Sequence, residues 1–192
     1  GLGVNVFNAL DPLAQTFTVE TSKNDGVMLD TVRLLFDDKP EAIGSVITVQ
    51  IRPVDGNGTP RRNFVLPFAE KTLAPSDVNT NGAPTDFKFD APVSLSPGQY
   101  AICIVTNDSG YLLRTLSEPD STGNLNSLFV SRNDGARTVL QNTYLHCEID
   151  RHDFSADAGE TIVNCDLHSS FSTDITGNQA SAFYFANARN VV

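Results

Sequence analysis

The punctuation of this chain limits its fold more than any other feature. Short runs, alternating or wholly apolar, are cut off repeatedly by Gly, Asn, Asp and Pro. No apolar stripe recurs at the spacing of an amphipathic helix. These runs predict strands over Gln15–Glu20, Asp30–Phe36, Val46–Arg52, Asn63–Leu66, Thr85–Phe89, Gln99–Thr106 and Tyr111–Leu116. Further strands are predicted over Leu128–Arg132, Thr138–Leu140, Thr143–Asp150, Thr161–Cys165 and Ala182–Ala186. Ile47, Val49 and Ile51 alternate with Val46, Thr48 and Gln50, the period of a half-buried strand. Lys23-Asn24-Asp25-Gly26, Asn107-Asp108-Ser109-Gly110 and Asn133-Asp134-Gly135 supply residues that tolerate positive φ, as tight turns require. Only Pro75-Ser76-Asp77-Val78 suggests a helical turn, with Ser76 or Asp77 as its cap.

The expectation is an all-β chain, an antiparallel β-sandwich or jelly-roll-like fold with polar N- and C-terminal arms. Residues 1–10 precede the first clear strand and read as an arm, 11–154 as the sandwich core, and 155–192 as an extension. That extension is rich in Ser, Asn, Asp and Ala, and it contributes late strands or subunit contacts. Its Phe183-Tyr184-Phe185 cluster either closes the core's last edge or adds a strand to a neighbour's sheet. Closure is favoured, because exposed aromatic edges aggregate. The chain opens on Gly1 and not Met, as a processed or excised piece of a longer protein would.

Charge narrows the partners. Thirteen basic residues stand against 23 acidic ones, a formal net charge of -10, so phosphate backbones and anionic lipid are unfavourable partners. No apolar run approaches a membrane span, and the N-terminus lacks the basic-then-apolar pattern of a signal peptide. The 12 Phe against 4 Tyr and no Trp are core material. Cys103, Cys147 and Cys165 are widely spaced and read as reduced core residues, which suits folding in a cytoplasm.

Catalytic and metal chemistry find little footing. His146, Cys147, His152, Cys165 and His168 invite a metal reading, but His146 and Cys147 are adjacent on a strand and point to opposite faces. Asp150, Asp153, Asp157 and Glu160 form no calcium loop and read as a solvated strand end. Asp55-Gly56-Asn57-Gly58 lacks the lysine of a phosphate loop and reads as a turn. No nucleophile elbow is present, so the expectation is no enzyme, no cofactor and no metal.

The succession Asp11-Pro12-Leu13-Ala14-Gln15-Thr16-Phe17, Thr48–Arg52, Asp55–Pro60, Pro92-Val93, Leu95-Ser96-Pro97-Gly98-Gln99-Tyr100-Ala101 and Leu128–Asn133 resembles a module in virion structural proteins. Those proteins belong to T4-like and related contractile-tailed bacteriophages. The opening DPLAQTF, Asp11 to Phe17, is the most specific piece; Pro97, Gly98 and Tyr100 belong to a weaker block. The likeness spans roughly Asp11 to Phe154, and it departs where Gly135-Ala136-Arg137 replaces a frequent aromatic. It implies a sandwich in a baseplate or tail-fibre-attachment protein, assembled in the host cytoplasm and carried in the virion. Its partners would be other tail or baseplate subunits, or copies of itself as a trimer or hexamer. The alternative is a carbohydrate- or receptor-binding jelly roll on a tail fibre, with host-surface glycan bound on Tyr111 or Tyr144. A hydrolase would need a convergent site that the residues do not supply.

Overall fold

The computed structural model describes residues 3–6, 12–20, 26–117, 127–131, 137–140 and 142–152. Among them the chain is almost entirely antiparallel β. One sheet has six strands in the order β11 (Arg137–Leu140), β10 (Leu128–Ser131), β2 (Leu13–Val19), β8 (Gly98–Thr106), β5 (Ile47–Pro53), β6 (Glu70–Leu73). A three-stranded sheet runs β13 (Cys147–Arg151), β3 (Val27–Leu34), β7 (Thr85–Leu95). In the third sheet β9 (Leu112–Ser117) pairs with β1 (Gly3–Val6), β4 (Phe36–Asp38) and β12 (Thr143–Leu145). β1 lies within the stretch read as an arm, and its backbone pairs with Leu112–Thr115.

The two smaller sheets form a forked second layer. β3 runs into β4 past Leu35, and β12 runs into β13 past His146. Beyond those bends the two strands part and β9 enters between them. The Arg114 amide donates to the Leu35 carbonyl at 2.9 Å, and the Arg114 carbonyl accepts from the His146 amide at 3.1 Å. One residue thereby satisfies both sides of the fork. Its guanidinium also pairs with Asp37, with Nε 3.1 Å from the carboxylate.

Both layers bury one face in a common core. Ile47, Val49 and Ile51 of β5 are fully buried, as are Ile102 of β8 and Phe87, Val93 and Leu95 of β7. Each such side chain contributes roughly 1.5–3 kcal/mol through removal from water. The period-2 pattern persists through all of β7, although its pairing breaks between Leu29↔Val93 and Thr31↔Lys88. Pro92 sits in that break, where a strand tolerates a residue with no amide hydrogen. Gly26 has φ +71, and a Cβ there would meet the Leu95 carbonyl oxygen at 2.2 Å. Only glycine fits that entry to β3.

Three expectations are corrected. Asn63–Leu66 is not a strand; the strand is β6, which follows it. The Leu66 amide is taken by Ile51 O, and a turn from Leu66 to Ala69 intervenes before regular pairing begins. The single run Thr143–Asp150 is divided at His146 by the fork. Pro75–Asp77 does form one 3-10 turn, but its cap is Ala74 with no side-chain bond, and Ser76 reaches Asp77 instead. The predicted strands Thr161–Cys165 and Ala182–Ala186, and the Phe183-Tyr184-Phe185 cluster, lie outside the described residues.

Candidate functional site

β2 carries most of the DPLAQTF residues and lies between β10 and β8, hydrogen-bonded on both edges. Asp11 is outside the described residues. Leu13, Ala14, Gln15 and Thr16 are buried, while Pro12 and Phe17 are half-buried. Gln15 faces the core, and its Oε1 accepts the Leu145 amide of β12 at 3.0 Å, tying one layer to the other. Thr16 pins the entry to β10: its amide donates to Ser127 O at 2.9 Å, and its hydroxyl accepts the Ser127 amide at 2.6 Å. Ala14, Ala101, Cys103 and Phe129 make a second small apolar cluster on the opposite face of this sheet. These are positions that hold a fold together.

Phe17 and Tyr100, from separate sequence blocks, meet in direct register with ring centroids 6.0 Å apart. The turn through Pro97 and Gly98 returns the chain so that the Tyr100 hydroxyl donates to Ser96 O at 2.9 Å. Phe17 lines a cleft of about 400 Å³ with Val19, Leu29 and Leu95 at its apolar wall and Glu20 and Arg151 at its rim.

A different surface stands out by exposure. Phe64 is 48% exposed and Phe68 72%, on the connection between β5 and β6. Phe68 has φ +60, a conformation that costs a bulky residue energy. Pro67 and Phe68 occupy the centre of a turn closed by Ala69 N–H to Leu66 O at 3.1 Å. With proline second and a positive φ third, it is a type II turn, whose third position ordinarily goes to glycine.

That connection is braced along its length. Asp55 accepts the amides of Asn57 and Thr59 at 2.9 Å each, and Gly58 takes φ +75, so DGNGTP is a closed turn as its residues predict. The nearly buried Arg52 guanidinium donates to Arg62 O at 2.6 Å and Arg61 O at 3.4 Å, and twice to Gln50 Oε1 at 3.0 and 2.6 Å. The Arg61 amide reaches Pro53 O at 2.9 Å and the Ile51 amide reaches Ala69 O at 2.9 Å. The exposed Arg61, Arg62, Phe64 and Phe68 are therefore presented by a fixed backbone. Sequence reasoning missed this surface by treating Asn63–Leu66 as a strand. The readable signal was Pro67-Phe68, a turn pair with an aromatic where glycine belongs, just after two arginines.

At the far end of β5, Asn107-Asp108-Ser109-Gly110 forms the expected turn and clasps the 39–46 connection. Asn107 Nδ2 donates to Gly44 O at 2.8 Å, its Oδ1 accepts the Val46 amide at 2.7 Å, and Ser45 Oγ donates to Asp108. The Ser45 bond, with the Gly110 amide, holds the Asp108 carboxyl below its ordinary range. Tyr111, one of the two tyrosines that the sugar-binding alternative needs exposed, is fully buried against Phe36, with its hydroxyl donating to Ser45 O at 3.1 Å. Burial pushes that phenol up to about 12. Tyr144 is half-buried.

The outer face of the three-stranded sheet is a charge ladder. Arg33 lies 3.1 Å from Asp86, 2.6 Å from Asp150 and 3.7 Å from Glu148. Asp150 is thus an ion-pair partner and not simply a solvated strand end. Asp30 is lowered chiefly by its hydrogen bond from Thr31, helped by Lys88 and His152. Cys103 is buried and Cys147 half-buried, and burial pushes the Cys147 thiol up to about 11. Among the described residues no three His, Cys, Asp or Glu side chains come together to hold a metal.

Comparison with known proteins found no protein-family model that matches this chain and no curated protein similar to it.

Proposed function

We propose that the chain is a structural, non-catalytic module of a bacteriophage tail or baseplate, built to assemble with other virion subunits. The observation that carries this reading is the braced 61–68 connection, which holds two aromatic side chains in water at a cost in backbone strain. Strain kept at an exposed aromatic serves recognition, since Phe and Arg anchors held in place lose little freedom on docking. The resemblance of Asp11–Phe17 and the later blocks to tail proteins supplies the setting, a virion assembled in the host cytoplasm. Partners of this kind are other tail subunits or further copies of the chain.

The sugar-platform alternative has lost Tyr111 to the core. Gold-labelled antibodies raised against the chain, applied to intact phage particles, test the proposal by electron microscopy. Label on the tail or baseplate is expected. Label confined to capsids, or none on particles that contain the chain by mass spectrometry of disrupted virions, would overturn it.

A further inference from the structure

The two ends of β5 carry opposite recognition chemistry. At the Pro53 end stand Phe64 and Phe68 with Arg61 and Arg62, the only adjacent pair of cations in the sequence. At the Ile47 end the 39–46 connection projects Ile43, 94% exposed, and carries exposed Glu41, with exposed Asp38 at the end of β4 just before it. Lys39 Nζ is bound to Val78 O, which draws the Pro75–Asp77 turn and its exposed Asp77 to the same end. The first tip is therefore apolar and basic, and the second apolar and acidic. They stand roughly 20 Å apart along a seven-residue strand.

Both tips are held by internal bonds. Arg52 clamps the carbonyls of the first; Asn107 and Tyr111 clamp the backbone of the second, where Asp108 also accepts the Ser45 hydroxyl. A chain of net charge -10 repels its own copies in general, so a local basic tip has specific value where it meets an acidic one. The tips differ and lie at opposite ends, so a contact between them is head to tail, the kind that propagates into a closed ring or an open chain.

We propose that Phe64, Phe68, Arg61 and Arg62 of one copy dock on Ile43, Asp38, Glu41 and Asp77 of the next. This deepens the assembly reading above and rests on it by naming a second copy as partner. The docked aromatics would meet Ile43 while the arginines meet the three carboxylates, so each apolar group keeps a charged rim.

Light scattering and sedimentation equilibrium of the full chain across a concentration series test the proposal. The wild type is expected to assemble beyond a dimer, more weakly as salt is raised. Arg61→Glu with Arg62→Glu, and separately Asp38→Arg with Glu41→Arg, should each weaken association by at least about tenfold. The chain carrying all four reversals should regain it, an outcome that misfolding cannot produce. Phe68→Gly should weaken association while leaving the thermal transition in place. A wild type that stays monomeric overturns the self-contact, as does assembly unchanged in both reversed pairs or a fourfold variant no better than either pair. A monomeric chain whose antibody still marks the tail would leave assembly with other subunits standing, so the two failures are distinguishable.

Discussion

Gln15 is buried in β2, between two neighbouring strands, yet its work is done across the core. Its Oε1 is the acceptor for the Leu145 amide, and its Nε2 donates to Thr16 O at 3.1 Å. Gln15→Leu keeps the volume but leaves a buried amide without its acceptor, which costs about 1–3 kcal/mol. Urea unfolding should show that loss in the midpoint, and Gln15→Glu should lose more, because it buries a carboxylate and sets an oxygen against the Thr16 carbonyl. Phe68 is the reverse case, a large residue whose removal does not weaken the fold. Glycine relieves a left-handed strain of about 1–2 kcal/mol and returns about 0.4–1 kcal/mol of freedom to the unfolded chain. Phe68→Gly should therefore leave unfolding stability unchanged or raised by up to about 1.5 kcal/mol. Phe87→Ala, a core deletion, should cost about 3–5 kcal/mol in the same measurement. Equal losses for the two phenylalanines would mean that Phe68 packs more than its exposure allows.

At the scale of elements, the strands legible in the sequence are those whose inward face is apolar at every second residue. β5 and β8 meet that condition inside the six-stranded sheet, and β7 meets it at the edge of the three-stranded one, because each lays a full row of side chains on the core. β6 does not, since an edge strand needs only half its surface covered. Glu70 and Thr72 pair outward with Gln50 and Thr48, while Lys71 turns in and reaches Asp90 of β7 at 2.6 Å. A charge directed inward on an edge strand also discourages pairing with strangers. The break at His146 was illegible because only the arrival of β9 bends the strand there. Of the candidate site, the closed DGNGTP turn and the Pro67-Phe68 turn pair could be read, but the brace that presents Phe64 and Phe68 could not. It depends on Arg52, distant from Phe68 in sequence, holding the carbonyls of Arg61 and Arg62. The dependence is testable. Charged hydrogen bonds of this kind contribute about 1.5–3 kcal/mol, so Arg52→Leu should open the loop about 10- to 100-fold more often. Trypsin should then cut after Arg61 or Arg62 faster by that factor, while the bulk of the sandwich resists. Equal cutting rates in the two proteins would mean that the brace does not hold the loop.

Across the whole molecule, the shifted groups define a window of pH over which the sandwich keeps its full stability. Asp30 and Asp108 are lowered from the ordinary 3.8 by their hydrogen bonds from Thr31 and Ser45. A lowered carboxyl favours the folded state above its unfolded value and loses that advantage as pH falls through the folded one. On the alkaline side the signs reverse. The Cys147 thiol rises from 9 to about 11 and the Tyr111 phenol from 10 to about 12, both mainly through burial. The folded state keeps these protons where the unfolded chain has released them, so stability present below 9 is lost as pH climbs through 11 and 12. The melting temperature should therefore be flat from roughly pH 5 to 9, with an acid limb and a steeper alkaline limb. Tyr111→Phe removes the phenol's titration along with its bond to Ser45 O. It should lower unfolding free energy on the plateau by about 0.5–1.5 kcal/mol while making the alkaline limb shallower. Cys147→Ser removes the thiol's share of the same limb and leaves the 39–46 connection untouched, because the thiol lies at the fork and not beneath Ser45. An alkaline limb identical in wild type and Tyr111→Phe would show that the phenol is not sealed from water, and that the clasp over Ser45 opens in solution.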